Sequence, residues 1–220
     1  MRFGRPDDGK AGWQVAAEDV LELLDWRRRV FALYEDVRAR ASTSPRDAWW
    51  HWRDTRDNLF REHPQSPVPP GSRAGFGGLA YFEFDPDLRV TARLVDRPAE
   101  RLELTSSTGE PIRFSRIGAC VFELGGRDCA LDAYWLEAYG GGLFLPFRDA
   151  TAGRDTYGAG RYLLDTAKGA DLGPGDGDGM VLDFNFAYNP SCAYDPRWSC
   201  PLAPPANRLD VEIRGGERQG

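Results

Sequence analysis

The sequence predicts an α+β protein, mainly β, in which two N-terminal helices pack on an antiparallel, barrel-like meander. Three observations carry that expectation. Apolar residues recur at helical spacing early in the chain and at alternating spacing from Leu79 onward. Glycine (25) and proline (16) together make up about a fifth of the 220 residues, which suits turn-rich β architecture better than a helical bundle. Short hairpin signals, Asp85-Pro86-Asp87, Ser107-Thr108-Gly109-Glu110 and Gly125-Gly126, separate the later apolar runs. Sequential strands joined in this way run antiparallel and close most readily as a barrel.

From Ala17, the residues Val20, Leu23, Leu24, Val30, Phe31, Tyr34 and Val37 keep a helical stripe, with acids early and arginines later. Ser44-Pro45-Arg46-Asp47 announces a second helix through a capping residue, a proline in the first turn and an acid three residues after the cap. That helix carries Trp49, Trp52, Leu59 and Phe60 and stops before Pro64. Residues 64–71, rich in proline, read as extended surface chain. Strands are expected at 79–84, 88–95, 101–105, 112–124, 127–135, 142–147, 161–164, 181–188 and 208–214. In the last, Leu209, Val211 and Ile213 alternate with Arg208, Asp210, Glu212 and Arg214, one face for core and one for water. The Gly/Asp-rich stretch 168–179 lacks the ligand spacing and closing Glu of a calcium loop and reads as a lid or linker. The organisation expected is an extension over 1–25, a single domain over 26–217 (helical part and proline-rich linker 26–70, β part 79–214) and a tail at 218–220.

Composition bounds the function. A formal net charge of -6 argues against a nucleic-acid scaffold, and Arg27-Arg28-Arg29 falls within a helical pattern as a solvated face. No apolar run reaches membrane-spanning length, and the first residues lack the apolar block of a secretory signal. A cytoplasmic protein without membrane association is therefore expected, with its four cysteines reduced. Cys120, Cys129, Cys192 and Cys200 contain no C-x-x-C pair, so no zinc and no cofactor are expected. Cys192 and Cys200 either meet across a loop, where oxidation would bridge them, or are buried, inert thiols.

Residues 147–207 hold nearly all the chemistry. In a strand over 181–189, Leu182, Phe184, Phe186 and Tyr188 share one face, and Asp183, Asn185, Ala187 and Asn189 share the other. Asp and Asn are poor strand formers, so their presence points to a pocket with a fixed hydrogen-bonding array. Arg148, Asp149 and Thr151 follow one strand, and Arg161 opens the next after Gly158-Ala159-Gly160. The two arginines either clamp a carboxylate, sulfate or phosphate or tie the loops together through Asp149, Asp155 or Asp183. General acid–base work would fall to Asp149, Asp183 and Tyr157, or to His63 if its segment crosses the barrel mouth rather than capping the second helix. A metal held by Asp149, Asp183 and Asn185 is not expected without a histidine. Two functional classes follow. One is a metal-independent hydrolase or lyase acting on a small, polar, anionic metabolite, bound by Arg148, Arg161, Asn185, Asn189 and Thr151. The other is a non-catalytic small-ligand-binding barrel; a third reading makes these motifs purely structural.

The runs F-R-D-A-T-A-G, T-Y-G-A-G-R-Y, D-F-N-F-A-Y-N-P-S-C-A-Y and W-S-C-P-L-A-P-P-A-N-R-L resemble a bacterial and archaeal family, domain of unknown function 1684. H-P-Q-S-P and F-G-G-L-A-Y-F-E-F are similar to its N-terminal part. The resemblance spans about Trp26 to Glu217 and implies a single domain. It implies no activity, substrate or catalytic residue.

Overall fold

A computed structural model describes residues 16–137 and 139–220. Helix α1 (Ala17–Ala41) and helix α2 (Pro45–Glu62) form an antiparallel hairpin, followed by a single turn, α3 (Pro70–Arg73). Ser44 sits at the N-cap of α2 without a side-chain capping bond; Pro45 in the first turn sets the helix start. Only the C-terminal half of α1 is buried, through Leu33, Tyr34, Val37 and Ala41, while Val20, Leu21, Leu24 and Phe31 stay exposed. Helix α2 buries Ala48, Trp49, Trp52, Leu59 and Phe60.

Seven strands follow: β1 (Arg89–Val95), β2 (Glu100–Thr105), β3 (Pro111–Leu124), β4 (Arg127–Leu136), β5 (Leu143–Phe147), β6 (Arg161–Asp165) and β7 (Met180–Asp183). Every pairing is antiparallel, in the order β6-β5-β4-β3-β1-β7 with β2 also beside β3. The long β3 is the spine: β2 lies along its first half and β1 along Ala119–Val121. At the hand-over sits Gly118, φ 155°, where a Cβ would come within 2.6 Å of the Val95 carbonyl oxygen. A register shift between Arg116 and Gly118 bends the spine there. The resulting sheet curls strongly into a half-barrel. The segment 200–203 crosses its open seam: Pro201 bridges Ser106 and Leu202 N–H donates to Thr105 O (3.0 Å), while Ala203 N–H reaches Ala159 O on the β6 side (3.4 Å).

The main core joins helices and sheet through Trp49, Trp52, Leu131, Phe147, Leu182, Phe184, Phe186 and Ile213. Trp52 makes edge contacts with Tyr81 and Phe186, 5.5 and 5.4 Å between centroids, which seats α2 on the turn after β7. A smaller cluster of Leu104, Phe114, Tyr134, Phe144 and Tyr162 fills the other side.

Three expected strands differ. Residues 79–84 form no ladder; they run beside the C-terminus through one bridge, Tyr81 to Glu217, flanked by Phe82 N–H to Gly216 O and Arg218 N–H to Ala80 O. The strand expected to reach 188 stops at Asp183, because the Asp183 carboxylate accepts the Asn185 N–H (3.1 Å) and turns the chain into the 3-10 turn Phe184–Phe186. Over 208–214 the alternation holds, with Leu209 and Ile213 buried and Asp210, Glu212 and Arg214 exposed. The backbone there lies alongside 148–150, and Ile213 N–H donates to the Asp149 carboxylate (2.8 Å) where a ladder would supply a carbonyl. Only the first part of the stretch read as a lid or linker is packed: Ala170 and Leu172 are buried, and Arg38 on α1 donates to Asp171 O (2.7 Å), whereas Asp176, Gly177 and Asp178 are exposed.

Of the extension expected over 1–25, residues 1–15 lie outside the described residues, and α1 runs straight through position 25. Beyond Arg218, the tail is tied by Gln219 N–H to Asp155 O (2.9 Å). No helix among the described residues is long and apolar enough to cross a membrane.

Candidate functional site

Arg161 opens β6 directly after Gly160, whose φ of 101° and close neighbours leave no room for a side chain: a Cβ would sit 2.6 Å from Phe147 O. The backbones of β5 and β6 therefore approach closely and carry Arg161 inward, 1% exposed. Its guanidinium donates to Gly215 O, Glu217 O (3.1 Å), Ile213 O (3.0 Å) and Asp149 Oδ1 (3.2 Å), and lies 5.1 Å from the Phe147 ring centre. Asp149 Oδ2 accepts from Ile213 N–H and the Thr151 hydroxyl (2.7 Å), and Thr151 meets Thr156 (2.9 Å). Arg161, Asp149 and Thr151 thus form a tie between the loop after β5 and the C-terminal segment. Arg148 is half-buried, its stem running beside Gly160, and its Nε has no hydrogen-bond partner.

Asp183 and Asn185 form a second buried cluster that shares no hydrogen-bond partner with the first. Asp183 Oδ1 accepts from Asn185 Nδ2 (2.9 Å) and Oδ2 from Arg89 (3.2 Å); burial raises this carboxyl above its ordinary value, partly offset by Asn185 and Arg89. The Asn185 amide donates to Asp85 O (2.7 Å) and accepts from Asp85 N–H (2.9 Å), holding the turn before β1. The polar array expected to line one pocket is therefore divided between two internal networks. Asn189 is also buried; its N–H donates to Glu217 Oε2 (2.9 Å) and its Oδ1 has no partner.

Glu217 and Arg56 were not anticipated as a pair. Glu217, 1% exposed, accepts from Arg56 (2.9 Å), whose guanidinium sits 4.8, 5.1 and 5.1 Å from the ring centres of Trp52, Phe60 and Tyr188. Burial weighs against the Arg56 charge, yet Glu217, Tyr81 and Tyr34 hold it above the ordinary arginine value. Burial raises the Glu217 carboxyl more than Arg56 and the Asn189 N–H lower it, so the pair titrates at its carboxyl. One sequence signal marks the site: Arg56 lies four residues from both Trp52 and Phe60, inside an apolar helical stripe.

His63 lies in a groove of about 830 Å³ between α1 and α2, not across the half-barrel, and caps the end of α2. Its Nδ1 accepts from Gln65 N–H (3.0 Å), which leaves the proton on Nε2 for Asp25 (3.2 Å). With both ring nitrogens engaged and 4% exposure, His63 has no free position from which to act as a base. His51, in the same groove, pairs with Asp36 (3.3 Å). Glu22, Asp25, Asp36 and Glu62 line the groove with Arg29, an acidic excess unsuited to an anionic ligand.

Chemical capacity remains at Tyr157, Cys192 and Cys200, on the seam. Cys192 sits on the 3-10 turn Ser191–Ala193, half-buried, with its sulfur 3.8 Å from the Tyr157 hydroxyl. Cys200 is buried, and Ser107 anchors it on both backbone groups: Cys200 N–H to Ser107 Oγ (3.1 Å) and Ser107 N–H to Cys200 O (2.8 Å). Each of the two thiols acts on the protonation of the other. Donation from the Cys200 thiol lowers the pKa of Cys192 against the opposing effect of burial, with Tyr157 adding a second donor; Ser107, whose proton goes to Trp198 O (2.7 Å), adds little. The same contact, followed by burial, pushes Cys200 up. Burial, then Cys192, raises Tyr157, so its phenol stays protonated and acts as a donor. The cluster is a dithiol that loses one proton readily and the second reluctantly. All four cysteines are unbridged, and no group of three or more His, Cys, Asp or Glu among the described residues is placed to hold a metal ion.

Fold and site define an α+β half-barrel with a dithiol on its seam. The family described as "protein of unknown function (DUF1684)" matches over residues 74–218, and the chain belongs to that family. The match begins later than Trp26, so the β part and the dithiol fall within it and α1 and α2 do not. Among solved structures, the chain is similar to an uncharacterised protein of Haloarcula marismortui determined by solution NMR. The identity is 40%, over 76% of this chain and 90% of that one, with a TM-score of 0.56. No curated protein matches the chain.

Proposed function

We propose that the protein acts on a small polar molecule at the seam of the half-barrel, with Cys192 as nucleophile. The observation that supports this reading is the half-buried Cys192 sulfur lying 3.8 Å from the Tyr157 hydroxyl, with the neighbouring Cys200 thiol lowering its pKa. A thiolate held in that way is both populated near neutral pH and reachable by a small electrophile. Asp149 and Asp183 are less suited to the role of base, since both are buried and engaged within the protein. Tyr157 takes the part of a hydrogen-bond donor to sulfur or to a leaving oxygen.

Alkylation with iodoacetamide, followed by peptide mass spectrometry from pH 5 to 9, tests the reading. Cys129 is the internal comparison, a half-exposed thiol whose pKa burial raises. At pH 7 Cys192 is expected to react several-fold faster than Cys129, because its larger thiolate fraction outweighs the lower intrinsic nucleophilicity of a low-pKa thiolate. Tyr157→Phe should shift the Cys192 profile to higher pH. Equal labelling of Cys192 and Cys129 at every pH would remove the basis for the proposal.

A further inference from the structure

We propose that Cys192 and Cys200 form a two-cysteine site that reduces small hydroperoxides through an intramolecular disulfide. The inference rests on the reading of Cys192 as the reactive thiol and adds the substrate class and the partner sulfur. Three features of the seam support it. The two thiols are unequal in access: Cys192 is half-buried on a short turn, whereas Cys200 is 5% exposed. An oxidant in solution therefore meets Cys192 first, and Cys200 is shielded until Cys192 has changed. The two are also unequal in anchoring. Ser107 and the Ser106–Pro201 bridge fix Cys200 to the end of β2, and the Tyr162 hydroxyl donates to Pro201 O from β6. Cys192 is carried by a one-turn segment joined to Cys200 by residues 193–199, a loop short enough that closing it into a disulfide carries a small entropic cost. Finally, the Tyr157 hydroxyl, 3.8 Å from the Cys192 sulfur, stands where an oxygen bound to that sulfur would need a donor.

The chemistry balances without a metal. The Cys192 thiolate attacks one oxygen of R–O–O–H; the S–O bond forms, the O–O bond breaks, and the departing alkoxide takes a proton and leaves as R–OH. Cys192 is then a sulfenic acid. The Cys200 sulfur, losing its proton, attacks the Cys192 sulfur; the S–S bond forms, and the hydroxyl leaves with a proton as water. Two thiols have given up two electrons and two protons, and the hydroperoxide has become an alcohol and water. A dithiol reductant returns the pair to the reduced state by thiol–disulfide exchange.

The test uses the full-length, pre-reduced protein with one equivalent of hydrogen peroxide. Expected are the loss of two hydrogens in the intact mass, a Cys192–Cys200 linked peptide, and recovery of both thiols on adding dithiothreitol. In Cys200→Ser, dimedone should trap a sulfenic acid at Cys192; in Cys192→Ser, peroxide consumption should fall to the background set by Cys120, Cys129 and the buried Cys200. Rapid alkylation of Cys192 with no disulfide after peroxide would overturn the two-cysteine site and leave the nucleophile standing. Slow alkylation together with no disulfide would remove both. A disulfide to Cys120 or Cys129 instead would also overturn it. The linked-peptide measurement on the unaltered protein keeps the test decisive even if a serine variant fails to fold.

Discussion

Replacing Arg161 by alanine is expected to cost about 3–5 kcal/mol of folding stability, the usual penalty for stranding a buried charge. The guanidinium satisfies Asp149 and three carbonyls, Ile213, Gly215 and Glu217, and both charged residues are buried. Its loss leaves the Asp149 carboxylate uncompensated and releases the C-terminal segment from β6. In a chain of this size the midpoint of thermal unfolding should drop by roughly 10 °C. Arg161→Lys should recover only part of the loss, because one ammonium group cannot span four acceptors held by a planar fork. The same variants decide between the two roles open to this arginine at the level of sequence. A ligand clamp would leave the unfolding midpoint unchanged on mutation, and that result would count against the tie described here.

Glu217→Ala should cost a similar amount, about 3–5 kcal/mol, since it leaves Arg56 buried among three rings and the Asn189 N–H without an acceptor. Glu217→Gln is the more informative change, because it keeps an acceptor for Asn189 and removes the titration. Burial holds the Glu217 carboxyl above its ordinary 4.5 in the folded protein. A carboxyl raised in this way adds stability while it is protonated, below the unfolded value, and loses that contribution as pH rises through the folded value. The stability of the unaltered protein relative to Glu217→Gln, measured by urea unfolding, should therefore decline as pH rises from about 4 toward neutrality. A difference that grows with pH would mean that Arg56 outweighs burial and would reverse the assignment.

The helices and most strands were legible because their signals are local. Trp49, Trp52, Leu59 and Phe60 mark the buried face of α2 wherever the helix docks, and Pro45 and Pro64 bound it. The strands from β1 to β6 fall within one or two residues of the spans expected from alternation and turn chemistry. The misreadings share a cause. At 181–188 the Asp183 side chain competes with the ladder for the Asn185 N–H and ends the strand. Over 208–214 alternation was correct about burial and silent about partners, and the partner of Ile213 proved to be a side chain, Asp149, rather than a neighbouring strand. At 79–84 the chain pairs with the C-terminus, more than a hundred residues away, through a single bridge.

The candidate site divides along the same line. Sequence by itself determined which polar groups stand apart and which faces are apolar: Arg161, Asp149, Asp183 and Asn185 stand out as polar groups among aromatics, Tyr157 lies beside a glycine-rich turn, and Cys192 and Cys200 lie eight residues apart. Tertiary structure alone decided what those groups face. It directed Arg161 onto Asp149 and the C-terminal carbonyls, Asn185 onto the turn at Asp85, His63 into the α1–α2 groove, and the Tyr157 hydroxyl onto the Cys192 sulfur. The physical reason is that burial of an apolar side chain is rewarded against any apolar neighbour, so a periodic pattern suffices to encode it. A buried polar or ionisable group is stable only against a particular partner at hydrogen-bonding distance, and that partner arrives from a distant part of the chain once the sheet has curled.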